Sequence, residues 1–171
     1  RNLLPRFWYF PHGHRAVVVM TGDEHAGGGT PGRFDQYLGW SDPSGSVDDW
    51  ETVRGSSYLY PYTPTTDAEA LGYHGQGFEI GLHLNSGCAG YSPLSLDSLF
   101  ANQLSDWSAA FPSLPLPTTH RIHCIAWSGY TTLPEVGLNY GIRMDLSYYY
   151  WPDDWVNDRP GIFTGSAMPM R

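Results

Sequence analysis

The chain of 171 residues carries 41% apolar side chains and a formal net charge of -8, a composition that supports one domain over residues 1–171 with its own core. The acidic balance excludes a nucleic-acid partner, which needs a basic face against phosphate. All nine basic residues are Arg, so chemistry that requires a lysine amine is excluded too. The longest apolar run, residues 16–20, falls far below the roughly 18 residues of a membrane span.

In chain order, residues 16–20 (AVVVM) form a continuous β-branched run, the pattern of a strand buried on both faces of a parallel sheet. The run gives way to Thr21-Gly22-Asp23-Glu24-His25 and a Gly-rich loop. Pro31 then suits the first turn of a helix reaching about Trp40. Residues 41–55 are polar and turn-rich and read as a surface excursion. A short strand is predicted over 58–60, a helix capped by Thr66 or Asp67 through about Tyr73, and a strand over 78–82 that delivers His83 at its end. Leu96, Leu99, Phe100, Leu104 and Trp107 recur at helical spacing and predict a long amphipathic helix over 95–111, closed by Pro112. A strand over 120–127, a helix over 133–140 and a strand over 142–146 follow. The aromatic-rich tail from Tyr148 shows no period, and most aromatics read as core, with a minority available as sugar-stacking platforms.

Strands alternating with helices imply a parallel sheet, either open or part of a (β/α) barrel, with chemistry at the C-terminal strand ends. Asp23-Glu24-His25, His83 and Arg121 to His123 fall there. Taken singly, the acidic pair is a helix N-cap on a solvated loop, and each histidine is a packed core residue. Together, at one end of three strands, they point to a divalent metal held by carboxylate and imidazole, most simply zinc. Cys88 and Cys124 also follow strands, and either one bridge or two buried thiols fits them.

Residues 16–24 (AVVVMTGDE) resemble the first motif of the NodB-type polysaccharide deacetylases, an apolar strand then Thr-Phe-Asp-Asp. Residues 78–83 (FEIGLH) are similar to the family's second motif, His-Glu-Ile-Gly-x-His, and Arg121 to His123 stand in place of a third, Arg-x-Pro. The resemblance spans about residues 14–147 and implies an α/β fold, a partial or distorted (β/α) barrel of the NodB deacetylase type with parallel strands. It also implies hydrolytic removal of acetyl groups from a polysaccharide, with an extracellular or cell-envelope location. By this resemblance Asp23 is the catalytic base, Arg121 orients it, and Glu24 and His83 bind the metal.

The family's second metal histidine, four residues after the first, is here Gly87. His25 and His123 are the expected replacements, giving Glu24, His25, His83 and His123 as the ligand set. The family's closing Leu-x-His motif has no match before Arg171, so further strands are expected from later residues or a partner chain, and the chain reads as a fragment. Two other functions fit the same residues. One is a carbohydrate-binding or structural module that keeps the fold without turnover, and the other is a metal-dependent amidohydrolase acting on a small amide. Asp145, after the last predicted strand, is a further acid able to face the site.

Overall fold

The computed structural model describes residues 18–25, 28–126, 128–129 and 131–147. Five strands alternate with four helices: β1 (Thr21–Asp23), α1 (Gly29–Trp40), β2 (Ser56–Leu59), α2 (Asp67–Gly75), β3 (Glu79–Leu84), α3 (Pro93–Ala110), β4 (Thr119–Ile122), α4 (Thr132–Asn139) and β5 (Met144–Asp145). The strands form one sheet in the order β1-β2-β3-β4-β5, each pair parallel. This order has no reversal, so the sheet lacks the switch point of a doubly wound fold and curves as half of a barrel. Among the described residues no helix is long and apolar enough to cross a membrane.

Local chemistry fixes the helices. Of the two caps the sequence offers, Thr66 and Asp67, Thr66 caps α2 and forms a capping box with Glu69, and Ser92 with Ser95 forms a second at α3, where Pro93 takes the first helical position. Leu96, Phe100, Leu104 and Trp107 make one buried stripe on α3, packed with Leu82, Leu84, Ile122, Leu133 and Ile142 in the main core. Gly81 sits in β3 because the sheet is tight there: a Cβ would lie 2.6 Å from the Tyr58 ring and 2.9 Å from Thr119 Oγ1.

Every strand departs in its bounds from the sequence reading, β2 starting two residues earlier than the predicted 58–60 and β5 spanning only two of the predicted 142–146, and three departures bear on the site. The first strand is Thr21–Asp23 rather than residues 16–20, of which Ala16 and Val17 lie outside the described residues. Val18 and Val19 are exposed, not buried on both faces. The reason is register: β2 begins at Ser56, which pairs with Thr21 and donates to the Met20 carbonyl, so pairing starts only there. The fourth strand stops at Ile122, where a single 3-10 turn, His123–Ile125, carries Cys124 into the left-handed region (φ 58°). His83 lies within β3 rather than just after it. Trp127, Ala26 and Gly27 of the Gly-rich loop, and the aromatic tail from Tyr148 lie outside the described residues.

Candidate metal centre

β3 and β4 run side by side with His83 opposite Arg121, and this register builds the centre. The Nδ1 of His83 is 3.1 Å from the Arg121 carbonyl oxygen. A carbonyl only accepts, so Nδ1 carries the proton and Nε2 presents a lone pair. That Nε2 lies 3.3 Å from Nδ1 of His123, whose ring starts the turn after β4. His25, exposed at the end of β1, stacks on His83 at 5.4 Å and meets His123 edge-on at 5.3 Å. One ligand nitrogen from each of His25, His83 and His123 falls within 4.8 Å of the others.

Burial pushes the His83 imidazole down to about 4, ahead of the opposing pull of Asp23. His123 is lowered as well, first by burial and then by His25. Both are therefore neutral at physiological pH, the form that binds metal. Their separation suits a metal: two nitrogens at about 2.0 Å from a tetrahedral zinc lie about 3.3 Å apart. Tyr60, one residue past β2, completes the cluster. Its hydroxyl is 2.6 Å from His123 Nδ1, and burial pushes it up to about 12, so it remains a proton donor.

The acidic pair divides. Asp23 is the last residue of β1 and Glu24 the first beyond it, and their carboxylates meet different partners. Asp23 shares a cleft of about 320 Å³ with His25, Arg121, His123 and Ser147. Its Oδ1 accepts from Arg121 Nη1 at 3.2 Å, and Arg121 also donates to the Leu146 carbonyl and to Thr21 Oγ1. Glu24 is buried on the other side. Its carboxylate accepts from the backbone N–H of Thr30, the Thr30 hydroxyl and the Thr65 hydroxyl, which anchors the N-terminal turn of α1 to the loop before α2. Gly22, just before Asp23 in β1, allows Arg33 to pass under the strand, where a Cβ would lie 2.5 Å from Arg33 Nε. Arg33 donates to the Asp23 carbonyl and to Ser57.

No family model matches the chain, and no curated protein matches it in sequence. Among solved structures it is similar to a family 4 carbohydrate esterase from Streptomyces lividans in complex with acetate, with a TM-score of 0.53 and 14% identity over 84% of this chain and 68% of that one. The fold is that of the family 4 carbohydrate esterases. At this identity the likeness concerns the fold alone, and the five parallel strands described here correspond to part of the esterase barrel.

Within this esterase fold, the residues expected from the sequence are distributed unevenly. His25, His83 and His123 come together, and Asp23 pairs with Arg121 beside them. Glu24 is not in the histidine group, because its oxygens are engaged by Thr30 and Thr65. Gly87 is exposed in the loop after β3. Asp145 does not face the cleft: it is buried against His120 Nε2 at 3.4 Å. Burial alone would raise its carboxyl, but hydrogen bonds from His120 and Ser147 outweigh that and hold it below the usual range. The cysteines form a disulfide, Cys88–Cys124, that ties the loop after β3 to the residue following His123. Tyr60 is the member of the cluster that sequence reading missed. Its position at the C-terminal end of β2 was the available signal.

Proposed function

We propose that this chain is a metal-dependent carbohydrate deacetylase, hydrolysing acetyl groups from an acetylated polysaccharide outside the cytoplasm. The observation that carries the reading is the adjacency of three histidine nitrogens and an Asp23–Arg121 ion pair at the C-terminal end of a parallel half-barrel. His25, His83 and His123 are the ligands in this reading. The donor set, three imidazoles, suits zinc. The Cys88–Cys124 disulfide supports an oxidising location.

A bound divalent metal supplies Lewis acidity toward the acetyl carbonyl and the attacking water. The protein's own groups do the rest. Asp23 takes a proton from water as its oxygen attacks the acetyl carbon. Arg121 holds the Asp23 carboxylate in place through a charge-assisted hydrogen bond, and its other donors, fixed on Leu146 and Thr21, hold the guanidinium still. The proton then passes to the leaving oxygen or nitrogen as the acyl bond breaks. The Arg121 carbonyl pins the His83 ring through Nδ1, so the same residue orients base and ligand from opposite ends.

The test is acetate release from N-acetylated and O-acetylated oligosaccharides by zinc-loaded protein, beside an Asp23→Asn variant. Release that is lost in the variant supports the reading. No release from either substrate class by metal-loaded protein contradicts it.

A further inference from the structure

A cleft of about 520 Å³ opens from His25 and runs past Gly28, Gly29 and Pro31 on one side and Tyr60, Tyr62, Thr63 and Thr65 on the other. Tyr60 closes its inner end by contact with His123, and Tyr62 stands outside it. The Tyr62 ring lies parallel to Tyr60, with centroids 5.1 Å apart and planes within 3°. One face of Tyr62 is therefore covered, yet the residue is 68% exposed. Its hydroxyl accepts from Asn85 Nδ2 at 2.8 Å, which fixes the ring on the loop that follows β3.

An exposed tyrosine held at both its ring face and its hydroxyl has little rotamer freedom left to lose when a ligand covers it. Core packing does not account for it, because the open ring face meets solvent. The hydroxyl accepts from Asn85 and keeps its own proton to donate, a polar contact that Tyr62→Phe separates from the ring face. What remains is a rigid, flat, apolar face at the mouth of a polar cleft that leads to the histidines. Ligands that match such a face present alternating apolar C–H faces and a polar rim, which is the chemistry of a pyranose ring whose substituents are equatorial.

We propose that Tyr62 is the stacking platform of a sugar subsite, binding a pyranose ring next to the one whose acetyl group reaches His25, His83 and His123. The subsite selects chain length: an oligosaccharide that spans both positions gains the stacking contact, and an acetylated monosaccharide does not. As to polysaccharide substrate it rests on the deacetylase reading, but binding at Tyr62 requires neither metal nor turnover.

The experiment is calorimetric titration of the EDTA-treated protein with β-1,4-linked tetrasaccharides of N-acetylglucosamine and of xylose, in wild type, Tyr62→Ala and Tyr62→Phe. The expected result is binding of at least one tetrasaccharide that falls about tenfold in Tyr62→Ala, the size of an aromatic stacking contact, and stays within about twofold in Tyr62→Phe, which keeps the ring. Equal binding by wild type and Tyr62→Ala overturns the subsite, as does absence of binding by the wild type. An equal loss in Tyr62→Phe also overturns it, since the tether to Asn85 would then matter rather than the ring. Failure of the deacetylase reading is seen separately, as metal-loaded protein that releases no acetate while tetrasaccharide binding still depends on the Tyr62 ring.

Discussion

The Nε2 of His83 and the Nδ1 of His123 face one another at 3.3 Å across neighbouring parallel strand ends. With His83 pushed down to about 4 by burial, its Nε2 is an acceptor at neutral pH, open either to the Nδ1–H tautomer of His123 or, with His123 in the other tautomer, to a cation held between the two nitrogens. His83→Ala and His123→Ala are each expected to weaken zinc binding by more than about a hundredfold, beyond the usual effect of a supporting residue. Competition with a chromogenic chelator measures it.

The Tyr60 hydroxyl sits 2.6 Å from the His123 nitrogen that a metal would use, and by donating there it competes with the metal for one lone pair. Tyr60→Phe removes the competitor and keeps the ring stacked on Tyr62. Zinc affinity is therefore expected to rise about fivefold, the equivalent of a hydrogen bond of about 1 kcal/mol. A fall in affinity would mean instead that the hydroxyl supports the metal.

The depressed His83 gives the metal-free protein a definite pH response. The unfolded chain binds a proton at this site near 6.5, whereas the folded chain binds it only near 4. The unfolded state therefore holds more protons between these values, and stability falls as pH drops through that window and levels off for this group below it. Urea unfolding at pH 7 and pH 4.5 checks the direction. The slope is expected to be smaller in His83→Gln.

Glu24 shows where the sequence misleads. Two adjacent acids after an apolar run read as a base, Asp23, beside a metal ligand, Glu24, but β1 ends at Asp23, whose side chain meets the cleft of His25 and His123, while Glu24 turns to Thr30 and Thr65. Glu24→Ala is expected to cost about 1–3 kcal/mol of stability, from a lost acceptor at the helix N-terminus and from the buried Thr65 hydroxyl that loses its acceptor. Zinc stoichiometry is expected to be unchanged. Denaturant unfolding and metal analysis on the same sample separate the two effects.

The Cys88–Cys124 bridge closes a loop of 36 residues. Chain entropy for a loop of that size gives about 4 kcal/mol of stabilisation. Reduction, or the Cys88→Ser/Cys124→Ser double variant, is expected to lower the melting temperature by that equivalent and to loosen His123 beside it. Calorimetric melting with and without reductant reports the first effect.

The fold class was legible because its signals are local and agree: the capping box at Thr66, the α3 stripe from Leu96 to Trp107, and strand-like runs ending in polar residues. His83 and His123 were legible for the same reason, being the polar residues at two strand ends. The first strand was misplaced because an apolar run specifies burial, not register, and register depends on where Ser56 offers its N–H. Tyr60 was read as packing because an aromatic at a strand end is ordinary. Its role follows only from the approach of His123, 63 residues away.

The central claim is a three-histidine metal centre beside an Asp23 base. Elemental analysis of purified protein after zinc loading, in wild type, His83→Ala, His123→Ala and Asp23→Ala, tests it most directly. The account predicts near-stoichiometric zinc in the wild type, loss in both histidine variants and retention in Asp23→Ala. A wild type that takes up no zinc, or histidine variants that keep it, would contradict the account.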